Sequence, residues 1–420
     1  MTDALRNVLG TIQGVFIWLI MLFWVYQIVI SIASLFKFKE KPLLKNKKHK
    51  FMIIVPAHNE SKVIRQLVES AKAINYDKEL YDIYVIADNC TDNTAKIARD
   101  AGAIVYERFD ETKKTKGYAL NWFFKKVYEE GKRYDAIIVF DADNVIDSNF
   151  LNVMNRKLCQ GEKVVQGYRD IKNPTDTWVS GGYAIYYWMM NRFYHLARYN
   201  IGLSPLLNGT AFMVEWNIIM PEGWNTSTLT EDIEFSLLNI IEGQKLGWAQ
   251  DAIVYDEQPV SFKQSWTQRE RWSVGHYQCF GIYTGDLAKA TAKRKTVMNL
   301  DGFLYMLGMP VLFITITLLV VNTIFFLVGE MSLIALLTNY WKYLFSTFLM
   351  PMITAIIVIL IEKKPLNKMW KAVVMYPVFM GSWILINIKA LINPNTKWEK
   401  IEHTKGISID EAQEIGNKKK

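Results

Sequence analysis

The chain has 420 residues, of which 51% are hydrophobic and only 21% charged, with a net charge of +8. An ordinary soluble domain carries about 25% charge, so the composition excludes disordered and fibrous classes and leaves room for membrane segments beside folded domains. Three cysteines, Cys90, Cys159 and Cys279, have no paired spacing, which argues against a disulfide framework or a cysteine zinc site and fits a reducing compartment.

The first apolar block, Gly14 to Phe36, carries no charge. At 1.5 Å per residue it reaches about 34 Å, enough to cross a hydrocarbon core of about 30 Å. It is too long for a secretory signal and reads as a retained anchor. Lys37 to Lys50 holds seven lysines and one glutamate, which marks a cytoplasmic flank. A soluble α/β pattern follows from Phe51 to about Ser261. Strands are expected at Phe51–Pro56, Tyr81–Ala87, Ala103–Tyr106 and Ala136–Phe140. Helices are expected at Ser61–Ala73, Asp92–Ala101, Lys116–Glu130 and Ile233–Glu242. Strands alternating with helices imply a parallel sheet covered on both faces, with ligands outside the carboxyl ends of its strands. The stretch Trp178 to Tyr199 is dense in Tyr, Trp and Met and reads as core packing, an interface helix or a channel floor.

Further apolar blocks follow at Phe303–Val328, Tyr343–Ile361 and Val373–Ile392, with four lysines in the loop Glu362–Lys371. Counting four crossings would place the tail outside, yet Lys397, Lys400, Lys405 and Lys418 to Lys420 favour the inside. Either the last block is interfacial or re-entrant, or Met331–Phe345 adds a crossing.

Neither GxGxxG nor GxxxxGK[ST] is present, so a nucleotide would have to be held in another way. Asp141-Ala142-Asp143 follows a strand, where residues i and i+2 face the same way. Two such carboxylates can converge on Mg2+ or Mn2+, or can simply cap the next helix. Asp88 stands at a strand tip, where it could accept from a nucleoside. Thr230-Glu231-Asp232 reads as a helix cap, with Thr230 accepting from first-turn amides. It reads equally as a general base at Asp232, which the helix start would keep ionised. Gln268, Arg271 and Trp272 fall on one helical face. There Arg271 can clamp a diphosphate and Trp272 offers a flat surface to a sugar, or all three form the edge of an interfacial helix.

These motifs in this order resemble a membrane-embedded glycosyltransferase of family 2, of the processive branch that includes cellulose, hyaluronan, chitin and poly-N-acetylglucosamine synthases. The resemblance implies an α/β GT-A-type domain, a mixed, mainly parallel sheet flanked by helices, fused to transmembrane and interfacial α-helices. It implies donor contacts from Glu60, Asp88, Lys116, Asp141 and Arg271, a metal (Mg2+ or Mn2+) on Asp143 and Asp141, and Asp232 as catalytic base. Acceptor contacts are implied for Gln268, Trp272, Glu231 and Asn208-Gly209-Thr210. The chain departs from the family pattern where Asn89 follows Asp88 and where Asn208-Gly-Thr replaces the Cys-Gly-Ser of cellulose synthases.

The implied organisation is an anchor and basic linker (1–50), a cytosolic catalytic domain (51–261) and interfacial helices (262–300). Membrane helices (301–392) and a basic cytosolic tail (393–420) complete it. The implied activity is an inverting, UDP-sugar-dependent hexosyltransferase in the plasma membrane, with its catalytic domain cytoplasmic. It polymerises glucose into a cellulose-like or mixed-linkage β-glucan and extrudes it. A β-linked N-acetylglucosamine polymer and single-sugar transfer to a polyprenyl-phosphate lipid are the alternatives. The expected partners are the UDP-sugar, the growing polysaccharide and the bilayer, with no nucleic acid; accessory export or oligomer partners stay open.

Overall fold

The computed structural model describes residues 3–36, 40–329, 332–395 and 401–416. Lys37, Lys39, Met331, Lys397, Lys400 and Lys418 to Lys420, on which the charge and crossing arguments partly rest, lie outside the described residues. Eight strands form one sheet: β1 (Phe51–Ala57), β2 (Tyr81–Asp88), β3 (Ile104–Arg108), β4 (Ala136–Val139), β5 (Val145–Ile146), β6 (Val164–Ile171), β7 (Phe212–Glu215) and β8 (Gly247–Asp256). Their order is β3-β2-β1-β4-β7-β6-β8-β5. The first half, β3-β2-β1-β4, is parallel; β7 is antiparallel to both β4 and β6, β6 and β8 are parallel, and β5 runs antiparallel to β8. The sheet is thus mixed, as expected.

Strand alternation divides the core. Ile53 and Val55 of β1 face Ile64, Leu67 and Met154, while Met52 and Ile54 face Leu120, Phe123 and Leu237. All of these are fully buried, and each contributes about 1.5–3 kcal/mol by leaving water. The covering helices are α2 (Ile64–Lys72), α3 (Thr94–Ala101), α4 (Lys116–Glu129) and α5 (Phe150–Cys159). Gly102 ends α3 in a left-handed conformation, φ 102°, as the sequence indicated. Asp92 caps α3 from one residue before the N-cap, accepting from the Thr94 amide at 2.9 Å.

An anchor helix α1 (Asp3–Ile32) precedes the sheet. The later helices are α6 (Trp178–Met189), α7 (Ala197–Asn200), α8 (Trp216–Ile219), α9 (Glu231–Glu242), α10 (Phe262–Arg294), α11 (Val297–Met306), α12 (Gly308–Leu327), α13 (Leu333–Leu344), α14 (Met350–Ile361), α15 (Leu366–Ile392) and α16 (Ile409–Gly416). A π-helical segment, Met190–Leu196, joins α6 to α7. Among the described residues, three helical stretches are long and apolar enough to cross a membrane: Gly10–Leu35, Gly308–Leu327 and Leu366–Ile392. Helices α13 and α14 run together through a π turn at Phe345–Leu349, so the third apolar block belongs to one helical run over residues 333–361.

Both ends of α15 are tied to the α/β domain. Before it, Glu362 accepts from Tyr168 and Arg192 (2.8 and 2.7 Å), and Lys364 pairs with Asp170 at 2.6 Å. After it, the Thr404 and Lys405 amides donate to Glu257, Lys405 pairs with Asp176 at 2.7 Å, and Ala412 of α16 packs on Val145 and Tyr255. Along its length α15 lies against α6. A Cβ at Gly181 would sit 2.5 Å from Ala372, and one at Gly182 2.9 Å from the Phe379 ring. The aromatic stretch from Trp178 is therefore packed against α15 as well as into the core.

Candidate active site

The carboxyl ends of β1, β2 and β4 open into one cavity of about 1090 Å³. The chain leaves β1 and β2 through Asn59 (φ 57°) and Asn89 (φ 50°), asparagine being a side chain that tolerates this left-handed turn. Asn59 Oδ1 accepts from the Thr91 amide at 2.7 Å and locks the two exits together. Asp88, at the end of β2, pairs with Arg108 at 2.6 Å. Burial raises the Asp88 carboxyl against the opposing pull of Arg108. Glu60 faces the imidazole of His403, with both carboxylate oxygens 3.2 Å from Nδ1.

Asp141 and Asp143 are joined by a third carboxylate, Asp256 from the end of β8, and all three lie within 4.8 Å of one another. Asp256 is paired with Arg169 and accepts from Asn144 at 2.7 Å. Burial pushes it up to about 8 despite Arg169, with Asp143 and Asp141 adding to the rise. Lys116 reaches Asp141 at 2.5 Å and the Gly209 carbonyl at 2.6 Å. Against burial, Lys116 and Arg169 hold Asp141 low. The Asp143 carboxylate accepts from the Glu257 amide at 3.0 Å, and His403 Nε2 stands 4.0 Å away. Three converging carboxylates with an imidazole beside them form a donor set that suits Mg2+ or Mn2+.

Glu231 and Asp232 open α9 on the opposite wall. A Cβ at Gly209 (φ 89°) would stand 3.8 Å from the Asp232 Oδ2. Burial raises Asp232, against its first-turn amide and Lys116, and lifts Glu231 to about 7. Desolvation thus outweighs the helix start that was expected to keep Asp232 ionised. The expected cap is also absent: the Thr230 hydroxyl contacts Cys279 Sγ at 3.6 Å instead of a first-turn amide. From α10, Gln268, Arg271 and Trp272 line the same cavity. Arg271 has no ion-pair partner among the described residues, and its burial pulls it down although Glu231, Asp141 and Asp232 oppose this.

Glu60, Asp88, Lys116, Asp141, Asp143, Asn208, Gly209, Glu231, Asp232, Gln268, Arg271 and Trp272 all meet at this cavity. Thr210 does not. It is fully buried behind Asp141, accepting from its amide at 3.0 Å and donating to Asn144. The sequence reading missed Arg169, Asp256, Tyr186, Trp383 and His403. Only Asp256-Glu257, polar residues closing a strand, carried a local signal.

Fold and site together define a GT-A-type glycosyltransferase. Residues 49–275 match the family described as glycosyltransferase like family 2; the chain belongs to this family and is a hexosyltransferase. It is 26% identical to the probable glycosyltransferase YdaM of Bacillus subtilis, covering 84% of this chain and 86% of that one. It is 28% identical to the beta-monoglucosyldiacylglycerol synthase of Nostoc sp. (62% of this chain, 55% of that one). It is 24% identical to the poly-beta-1,6-N-acetyl-D-glucosamine synthase of Staphylococcus aureus (54% of each). The chain thus spans about half the length of the last two. The mannosyltransferase PcManGT of Pyrobaculum calidifontis, solved with GDP-Man and Mn2+, shares the fold at a TM-score of 0.59 and 14% identity, covering 91% of this chain and 99% of that one.

Proposed function

We propose that the protein transfers a hexose from a UDP-sugar, with inversion, to a glycan acceptor at the cytoplasmic face of the plasma membrane, building a β-linked polysaccharide. The observation that carries this reading is the single cavity. It holds the Asp141/Asp143 pair, Asp232 and the Arg271/Trp272 pair, and it continues past Tyr305, Met309 and Trp383 among α11, α12 and α15.

Glu60 and Asp88 receive the nucleoside, and Lys116 and Arg271 face the diphosphate. Asp141, Asp143 and Asp256 would hold the cation, with His403 beside them; Mg2+ or Mn2+, when bound, would offset charge on the departing diphosphate. Trp272 and Gln268 set the acceptor ring beside Asp232, with Asn208, Gly209 and Glu231 around it. Asp232 takes the proton from the acceptor hydroxyl as its oxygen bonds to the anomeric carbon. The bond from that carbon to the diphosphate oxygen breaks, and its electrons leave with UDP.

Within the bilayer, α1 brings the chain inward, α12 leads out and residues 333–361 return. The loop after α14 and the tail both dock on the catalytic domain, so α15 lies at the boundary without crossing. This removes the parity conflict that the tail lysines posed.

Glucose is the donor hexose we favour, supported by the glucosyl transfer in the Nostoc relative's name. The Staphylococcus relative favours N-acetylglucosamine as the second reading, and the diacylglycerol of the Nostoc name favours a lipid acceptor. The test is a panel of UDP-sugars in membranes carrying the protein or its Asp232→Asn variant, followed by sizing and linkage analysis of the product. A long β-linked product from the wild type alone supports polymer synthesis; a single-sugar glycolipid refutes it.

A further inference from the structure

The far end of the cavity carries polar atoms that the fold leaves unused. Beyond Trp272, α10 continues one turn to His276, and α15 faces it with Trp383 and Asn387. Asn387 is 4% exposed. Its Nδ2 donates to the Trp383 carbonyl at 2.8 Å. A carbonyl can only accept, which fixes the amide orientation and leaves Oδ1 as the unused acceptor. That oxygen and the Trp383 Nε1 hydrogen are buried without a partner among the described residues. The Trp383 ring stacks on Trp272, centroids 6.3 Å apart and planes 23° off parallel, and lies 6.4 Å from Tyr186.

These groups are held in place. Arg269 donates to the Phe379 carbonyl and the Ser382 hydroxyl at 2.9 and 2.8 Å, Tyr277 donates to the Asn387 carbonyl at 3.2 Å, and Lys389 pairs with Glu270 at 2.8 Å. Burial pushes His276 down to about 4, so the imidazole is neutral and offers one donor and one acceptor.

Resting on the transfer reading above, we propose that Trp383, Asn387 and His276 form a second sugar subsite, so that the acceptor is a glycan of at least two linked rings. An aromatic face edged by one fixed donor and one fixed acceptor matches a hydroxylated ring, whose hydroxyls can satisfy both. An acyl chain in the same space would leave both atoms buried and unpaired, which is unfavourable.

The experiment uses the full chain in detergent, the donor it turns over and UDP release as readout. With UDP-glucose the acceptors are methyl β-glucoside, methyl β-cellobioside and dioctanoylglycerol. With UDP-N-acetylglucosamine the saccharides become methyl β-N-acetylglucosaminide and diacetylchitobiose. The expected KM for the disaccharide is about tenfold below that for the monosaccharide, and Trp383→Phe and Asn387→Leu bring this ratio toward one. Phe keeps an aromatic ring while losing the N–H and the fused five-membered ring, and Leu keeps the branched shape of Asn without its polar atoms. A ratio that the variants leave unchanged overturns the subsite, because general damage scales both acceptors alike. Preference for dioctanoylglycerol also overturns it. Absence of donor-dependent UDP release in the wild type refutes the transfer reading itself, and is told apart from both by needing no variant.

Discussion

The imidazole of His403 bridges two loops of the donor side, with Nδ1 3.2 Å from both oxygens of Glu60 and Nε2 4.0 Å from Asp143. A residue of the tail is thereby built into the wall of the cavity. The neighbouring Thr404 and Lys405 amides, both bonded to Glu257 at 2.9 and 3.0 Å, hold it there.

If His403 belongs to the cation site, His403→Ala weakens the metal rather than the fold. The expected outcome is a 10- to 100-fold rise in the Mn2+ concentration giving half-maximal UDP release, the range seen when groups supporting a metal site are removed. Titration with Mn2+ after chelator treatment measures it. An unchanged midpoint would confine His403 to a structural contact.

The acid limb of the reaction follows from Glu231 and Asp232. Asp232 accepts a proton only as the carboxylate. Burial raises it and lifts Glu231 to about 7. Activity is therefore present above the titration of Asp232 and is lost as pH falls through it, above the ordinary carboxylate range near 4. Glu231→Gln removes the neighbouring like charge and moves the limb to lower pH. A profile of kcat/KM against pH for both proteins decides this, and a limb that stays in place contradicts the coupling.

How far the sequence could take this reading depended on distance along the chain. Strands such as Phe51–Val55 and Ala136–Val139 were legible because full burial on both faces writes an unbroken apolar run. Asp88, Asp141 and Asp143 were legible because they close such strands. Asp256 and His403 reach the same carboxylates from distant segments, and no local pattern encodes that meeting. The Thr230 cap failed for a similar reason: its hydroxyl turns to Cys279 on α10, a partner visible only in the fold. The last apolar block shows the limit of hydropathy. Length alone cannot say what the ends of α15 touch; the pairs Lys364–Asp170 and Lys405–Asp176 tie both flanks to the α/β domain.

The anchor is joined to the catalytic part through a buried charge. Arg198 pairs with Asp301 at 2.9 Å, Tyr26 of α1 donates to Asp301 at 2.9 Å, and Gln27 accepts from Arg198 at 3.0 Å. Asp301→Ala leaves the Arg198 cation buried and unpaired, a loss of about 3–5 kcal/mol. Thermal unfolding in detergent should show a clear fall in Tm. Replacing both partners with apolar residues (Arg198→Met with Asp301→Leu) should recover most of it, since the penalty lies in the orphaned charge. Equal loss in the single and double variants would contradict that origin.

Gly275 sets where Thr230 and the start of α9 stand. A Cβ there would meet Thr230 at 2.6 Å (Cγ2), 2.7 Å (Oγ1) and 2.8 Å (backbone N). Thr230 immediately precedes Glu231 and Asp232, so Gly275→Ala drives α10 and the start of α9 apart. A displacement on the order of 1 Å at a reacting group can lower the rate about 100-fold, and the fall should appear in kcat while the KM for the UDP-sugar changes little. Adding Thr230→Ala removes two of the three clashing atoms but not the backbone nitrogen, so rescue should be partial. Gly281, on the same helix, has nothing within 4 Å of its Cβ position. Gly281→Ala should therefore leave kcat intact and stabilise the helix by about 0.5–1 kcal/mol. If both glycine variants behave alike, the tight approach of α10 to Thr230 is not what positions Asp232.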